Sequence, residues 1–474
     1  MQMVKYSDVQ WDDGLDSQML WSILKKTVDE DKRKIVVLDD DPTGVQTVHD
    51  IPVYTDWSLE SIRQGFLEPG KLFFILTNSR SFTAEQTEKV HHDIASRLIK
   101  VSKETGVEML VISRGDSTLR GHYPLETETL KDVFERCGDS KIHGEIICPF
   151  FASGGRYTIE NVQYVRDKDF LIPVGETEFA KDKTFGYCSS DLREYIEEKT
   201  GGRYKKERVI CISEEQLRSM DFDGIENALM DVDDFQKVIV NALTAQELQV
   251  FCIALYRVMA RGKKFLFRTA ADFVREIAAI SHKNLLTRSE LIKEKRHCAG
   301  LIVIGSHTQK TNTQLAYLKK IPNVCFVEFD SDKVLNSKEL EDEIVNTISK
   351  EDACIKNGIT AVVYTKRQVL SLEGDTPEQA LQRSVKISEA VQNLVGQLQT
   401  IPDFIIAKGG ITSSDIGIKA LGVKRAWVQG QIQPGVPVWK LGEESKFPQI
   451  PYVIFPGNVG EETTLRNVLK VFLD

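Results

Sequence analysis

The sequence predicts an α/β protein of two domains, each with a largely parallel sheet flanked by helices. Three observations carry that prediction. Short apolar and β-branched runs recur along the chain, and most are continuously apolar, as strands covered on both faces by helices are. Longer amphipathic stretches with recognisable start signals alternate with them. At 474 residues the chain is too long for one ordinary core, so two domains of roughly 200 residues each are expected.

The strands expected in the first half are "KIVVL" (34–38), "LFFILT" (72–77), "MLVIS" (109–113), "EIIC" (145–148), "KVIVNA" (237–242) and "KFLFR" (264–268). In the second half they are "LIVIG" (301–305), "CFVEF" (325–329), "TAVVYT" (360–365), "FIIA" (404–407) and "YVIF" (452–455). Thr83 followed by Gln86 predicts a capping box, with Val90, Ile94, Leu98 and Val101 on one face of the helix behind it. Thr376, Pro377 and Gln379 repeat that signal ahead of Val391, Leu394, Val395 and Leu398. The charged stretch "HKNLLTRSELIKEKRHCAG" (282–300) marks the best boundary. The expected division is a first domain at 1–285, a linker at 286–299 and a second domain at 300–474. Residues 150 to about 202 are weakly periodic and read as a lid or an excursion of the first domain.

Composition excludes several classes. Hydrophobic content of 41% and charged content of 28% are those of a soluble globular protein. A formal net charge of −9 argues against a nucleic-acid partner. No apolar run approaches the ~18 residues of a membrane span, and the N-terminus lacks the pattern of a secretory signal. Eight scattered cysteines read as reduced thiols, and a cytoplasmic location is expected.

In an α/β sheet ligands bind beyond the carboxyl ends of the strands, so the loops there matter most. Three loops of the first half are polar in one way. "DDDPTG" places Asp39, Asp40, Asp41 and Thr43 after a strand. "NSRSF" holds Asn78, Ser79 and Arg80, and "RGDSTLRG" holds Arg114, Asp116, Ser117, Thr118 and Arg120. Guanidinium forks suit carboxylates or phosphates. Aspartates can accept from sugar hydroxyls, hold Mg²⁺ or remove a proton. Together they suit a small polyhydroxy acid.

The loops of the second half are of another kind. "IGSHTQKTN" (304–312) carries Gly305 and Ser306. "AKGGITSSDIGIKALG" (407–422) carries Gly409, Gly410, Ile411 and Thr412. "FPGNVGEETTL" (455–465) carries Gly457, Asn458, Val459 and Gly460. Glycines allow close backbone approach and helix N-termini favour anions, so the three together suit a polyphosphate.

Each residue also has a plainer reading. Asp-Pro and Thr-Gly are ordinary turn formers, Arg80 alone could be a surface ion pair, and Gly-Gly alone a turn. No Walker sequence, no Gly-x-Gly-x-x-Gly after a strand and no zinc-ligand spacing occurs.

On "DDDPTG", "TNSRS", "RGDSTLRG", Ser306, "GGIT" (409–412) and "PGNVG" (456–460), the chain resembles the four-carbon acid sugar kinase family over nearly its whole length. That group includes D-threonate, D-erythronate and 3-oxo-tetronate kinases. The resemblance implies an acid-sugar-binding N-terminal domain, an ATP-binding C-terminal domain and phosphoryl transfer in the cleft between them. On the kinase reading, Asp41 is first choice to receive the hydroxyl proton and Asp116 second. Asp40, Thr43, Asn78, Ser79, Arg80, Arg114, Ser117 and Arg120 would bind the acid, with Arg80, Arg114 and Arg120 clamping its carboxylate. Ser306, Gly409, Gly410, Ile411, Thr412, Gly457, Asn458, Val459 and Gly460 would hold the nucleotide. Mg²⁺ is expected with the ATP, with no metal ligand assigned. The partners are then a small sugar acid and ATP, with a homo-oligomer left open. The rivals are an inactive ligand-binding regulator on the same fold and an NAD(P)-dependent oxidoreductase of sugar acids.

Overall fold

A computed structural model describes residues 3–11, 14–138, 140–292, 299–368, 370, 372, 374–457 and 459–474. The first twelve strands are β1 (Val4–Lys5), β2 (Lys34–Asp39), β3 (Ile51–Tyr54), β4 (Leu72–Leu76), β5 (Met109–Arg114), β6 (Gly144–Cys148), β7 (Arg156–Ile159), β8 (Val162–Asp167), β9 (Phe170–Pro173), β10 (Ile210–Ile212), β11 (Gln236–Val240) and β12 (Phe265–Thr269). The others are β13 (Leu301–Ile304), β14 (Val324–Phe329), β15 (Thr360–Thr365), β16 (Ile405–Lys408), β17 (Arg425–Gln433), β18 (Val436–Leu441) and β19 (Pro451–Phe455). The chain divides into two compact units. Unit 1 comprises residues 1–48 and 56–282; unit 2 comprises 49–55 and 283–474.

Unit 1 is built on seven parallel strands in the order β10-β11-β6-β12-β5-β2-β4. Every residue of β2 and β4 is buried, which is why both read as unbroken apolar runs. The helix Ala84–Thr105 opens with the Thr83/Gln86 capping box and buries Ile94, Leu98 and Val101. The helix Ala245–Ala260 is apolar on nearly all sides and buried accordingly. From β2 the chain passes to β4 on one side and then to β5 on the other. Connections therefore diverge at the carboxyl end of β2, the kind of place where open α/β sheets bind ligands.

Residues 150–202 fold into most of a second, antiparallel sheet, β1-β9-β8-β7, followed by the helix Leu192–Lys199. Tyr187, Leu192, Tyr195 and Ile196 pack with Leu119, Tyr123 and Ile147 in one buried cluster. The segment is thus fastened to the rest of unit 1 by apolar packing.

Unit 2 has five parallel strands, β14-β15-β13-β16-β19, extended by antiparallel β18, β17 and β3. Its chain path diverges at β13, with β15 on one side and β16 on the other. The core joins Ile302, Ile304, Ile406, Val453 and Phe455 to Leu465, Val468 and Phe472 of the last helix, and the rings of Phe404 and Phe472 stack at 4.0 Å. Leu286 and Leu291, from the stretch read as linker, are buried in this core; residues 293–298 lie outside the described residues. "IPVY" (51–54), placed by sequence in the first domain, forms strand β3 of unit 2, with Ile51 opposite Val428.

One expectation is corrected. Cys325 on β14 and Cys354 on the helix Ser337–Lys356 are joined as a disulfide, their Cα atoms 6.5 Å apart, so the cysteines are not all free thiols. Among the described residues no helix is long and apolar enough to cross a membrane.

Candidate functional site

In unit 1, strand register sets Asp39 beside Arg114 of β5 and Leu76 of β4. The backbone just beyond is fixed as well. The Asp39 carbonyl accepts from Thr77 N–H and Thr77 Oγ1, each at 2.9 Å. Three adjacent carboxylates repel, and two guanidinium groups answer them. Arg80 grips Asp40 through Nη2 at 2.8 Å and Nε at 3.2 Å, and its Nη1 lies 3.5 Å from Asp41. Arg114 Nη1 lies 3.2 Å from Asp39 and 3.6 Å from Asp40.

The three acids are not equivalent. Burial pushes the Asp39 carboxyl up to about 7, with Arg114 pulling against it and Asp40 and Asp41 adding to it. Burial works against Asp41 too, but Arg80 and the Thr43 N–H and hydroxyl hold its carboxyl below the usual range. Asp39 and Asp40 are buried, whereas the Asp41 side chain is 23% exposed. Asp41 is therefore the ionised carboxylate of this loop that a ligand can reach. Gly44 closes over Asp39 so tightly that a Cβ there would come 2.0 Å from Asp39 Oδ2.

The loop after β5 adds a second acid. Asp116 accepts from Arg120 Nε at 2.6 Å and from the Thr118 hydroxyl. Burial opposes its ionisation, yet Arg80 and Arg120 hold its carboxyl far below the usual range. The loop is clamped from the 150–202 segment. Tyr187 Oη donates to Thr118 O at 2.6 Å, Tyr195 Oη to Leu119 O at 2.9 Å and Gln163 Nε2 to Ser117 O at 3.0 Å. That clamp supports the left-handed backbone of Leu119, φ 66°.

Beneath the loop lies a buried ion pair. Arg268 of β12 meets Glu126 at 2.8 Å and donates to Arg120 O at 3.0 Å. Its guanidinium fills the space beside Gly115, where a Cβ would come within 1.9 Å. Ser79 is fully buried and donates to Glu126 at 2.7 Å, so its hydroxyl serves this support rather than the open side. Ser117 is likewise buried, and Asn78 makes a left-handed turn, φ 58°, that starts the Ser79–Ser81 helix.

In unit 2, register aligns Ile304, Lys408 and Phe455 on adjacent strands, so their three following loops emerge at one edge. They meet closely. A Cβ on Gly305 would lie 2.4 Å from Thr412 Oγ1, and one on Gly457 would lie 3.4 Å from Ser306 Oγ. Gly409, φ +126°, sits in backbone that L side chains rarely adopt, against Ser306 and Thr412. Thr308 and Thr311 hydroxyls donate to Gly457 O, each at 3.3 Å. Gly410 faces open space, Ile411 is 73% exposed, and Val459 and Gly460 are partly exposed. Asn458 lies outside the described residues.

Lys408 went unread because it ends an apolar strand. It is fully buried, and its Nζ donates to Pro456 O at 2.6 Å and Gly457 O at 3.2 Å over the Phe455 ring. Burial, with Lys310 nearby, lowers it to about 7. Arg367, after β15, holds Ser306 O and Asn312 Oδ1. The sequence rule that post-strand loops carry chemistry applied to Arg367; the absence of glycine there hid it.

Comparison with known proteins bears on both halves. Residues 35–277 match the family model described as a sugar-binding N-terminal domain, and residues 301–465 the one described as a nucleotide-binding C-terminal domain. No curated protein matches the chain. Among solved structures, a Haemophilus influenzae protein is similar at 18% identity with a TM-score of 0.63, over 92% of this chain and 100% of that one. A Salmonella typhimurium LT2 protein is similar at 16% identity with a TM-score of 0.67, over 92% and 98%. At such identities the likeness is one of fold. With the sugar-binding and nucleotide-binding models matched in order along it, the chain belongs to the four-carbon acid sugar kinase family.

Proposed function

We propose that the protein is an ATP-dependent kinase that phosphorylates a hydroxyl of a small, four-carbon sugar acid or its oxo derivative. One observation carries the reading. The chemistry divides with the domains, carboxylates and guanidinium groups at the strand ends of unit 1 and glycines with hydroxyls at those of unit 2.

The residues fit a nucleotide. Gly305 and Gly409 bring backbone close where side chains would intrude, and the helix Gln309–Leu318 begins there, capped by Thr308. Among the described residues no group of three or more His, Cys, Asp or Glu is placed to hold a metal; Mg²⁺ would be held mainly by nucleotide phosphates and water. When bound, Mg²⁺ would neutralise charge on the transferring group.

The chain's own residues do the rest. Asp41 receives the proton of the attacking hydroxyl, being ionised, partly exposed and oriented by Thr43. Asp116 orients a neighbouring hydroxyl, because two arginines leave it a poor base. Lys408 fixes the Gly457 loop from below. The test is an ADP-release screen across four-carbon sugar acids and their oxo derivatives with ATP and Mg²⁺. Turnover with at least one is expected; binding of ATP without turnover on any would refute the reading.

A further inference from the structure

Resting on the sugar-acid reading above, we infer that Arg156 is the anchor for the substrate carboxylate in unit 1. The other arginines of the cluster are already matched. Arg80 is bound to Asp40 and near Asp41, Arg114 to Asp39 and near Asp40, and Arg120 to Asp116. A substrate carboxylate placed on any of them would face the carboxylates that hold them.

Arg156 differs. It opens β7 on the connection that leaves β6, so it belongs to another loop at the carboxyl edge of the same parallel sheet. Among the described residues no carboxylate lies within 4.0 Å of its guanidinium. Its Nη1 donates to Gly154 O, and its buried Nε has no partner. Burial lowers its pKa while Asp116 works in the opposite sense, which puts Arg156 in the field of the site. Its guanidinium lies 5.9 Å from the centre of the Phe179 ring, and Arg120 lies 5.0 Å from that ring. Phe179 thus supports both groups at one apolar wall, where a planar carboxylate gains most from a fork.

The local chain is shaped to present this side chain. Phe151 and Arg156 exchange backbone hydrogen bonds at 3.0 and 2.9 Å around a tight turn. Gly155, φ +74°, closes that turn. Asp272 accepts from Ala152 N–H at 2.8 Å and ties the turn to the residues after β12.

The ligand class follows. The substrate carries one carboxylate, on Arg156, and hydroxyls directed at Asp41 and Asp116. The discriminating probe is charge at that one group. D-threonate, D-erythronate and their primary amides are titrated by calorimetry into the full chain, its Arg156→Met and Arg156→Lys variants, and Arg120→Met as comparison. Wild type should prefer acid to amide by roughly 10–100-fold, the range of hydrogen bonds to a charged group. Arg156→Met should bind the two alike, Arg156→Lys should retain part of the preference, and Arg120→Met should retain most of it. A full acid preference in Arg156→Met overturns the assignment, as does its loss in Arg120→Met instead. Should Arg156→Met not fold, an undiminished preference in Arg156→Lys is the overturning result. Wild type that binds none of the four-carbon acids refutes the sugar-acid reading itself, and the two failures are thereby distinguished.

Discussion

Replacing Glu126 by Gln tests whether the buried pair under the Arg114–Gly121 loop supports the site. Glu126 is 1% exposed and Arg268 7% exposed. The carboxylate accepts from Arg268 Nη1 at 2.8 Å and Ser79 Oγ at 2.7 Å, with Ser113 Oγ at 3.5 Å. Glutamine keeps the shape but leaves the guanidinium without a counter-charge and turns an amide donor toward one of these donors. Breaking a buried pair on one side costs about 3–5 kcal/mol. At about 2–4 °C per kcal/mol for a unit of this size, the thermal transition of unit 1 should fall by about 6–20 °C. Scanning calorimetry at pH 7 measures it. Glu126→Leu with Arg268→Met removes both charges together and should recover most of the loss, because an apolar replacement of a buried pair is often neutral. A Glu126→Gln transition within about 2 °C of wild type, well below one broken pair, would refute the reasoning, as would a double variant no more stable than the single.

Other expectations concern individual groups. Asp41→Asn should lower turnover by roughly 10²–10⁴-fold at saturating ATP, Mg²⁺ and acid, with acid affinity little changed; recovery at high Mg²⁺ would make Asp41 a metal holder instead. In the folded chain Asp39 binds its proton up to about pH 7, but in the unfolded chain only to about 4. The folded state therefore holds the extra proton in that window, and this group's contribution to stability falls as pH rises from about 4 to 7, by at most about 1.4 kcal/mol per pH unit. Asp39→Asn should remove that fall in denaturant titrations taken across the window; an unchanged slope would contradict the assignment. Lys408→Met should weaken ADP binding by roughly tenfold, the worth of one charged hydrogen bond, and leave acid binding alone; equal losses for both ligands would mean general damage to the fold.

The parallel strands were legible because burial on both faces writes an unbroken apolar run. What lay outside that pattern was missed. β17, "RAWVQGQIQ", alternates buried and half-buried residues, and its signal is period two rather than continuity. β18 contains Pro437, and β10 has three residues, so neither rises above loop composition. In the site, Asp40, Asp41, Arg80 and Arg114 were readable from their loops, and the structure brings them together. Glu126 sits in a helix and Arg268 and Lys408 inside strands, where a lone charge reads as an edge or a surface. Their role depends on depth, which a one-dimensional pattern does not carry. Arg156 was hidden differently, behind the irregular turn that follows β6.

The short β3 has a consequence for synthesis. Ile51 pairs with Val428, so during translation this strand leaves the ribosome roughly 370 residues before its partner, a wait on the order of 20–75 s at ordinary elongation rates. The flanking sequence of unit 1 can collapse meanwhile, but "IPVY" cannot complete its ladder. Nascent chains therefore carry an apolar strand whose β17-facing side is unpaired for most of their manufacture, the kind of segment that chaperones bind and that a neighbouring copy on the same message can capture. A ribosome stalled before residue 425 holds a chain in which unit 2 has no edge to receive it.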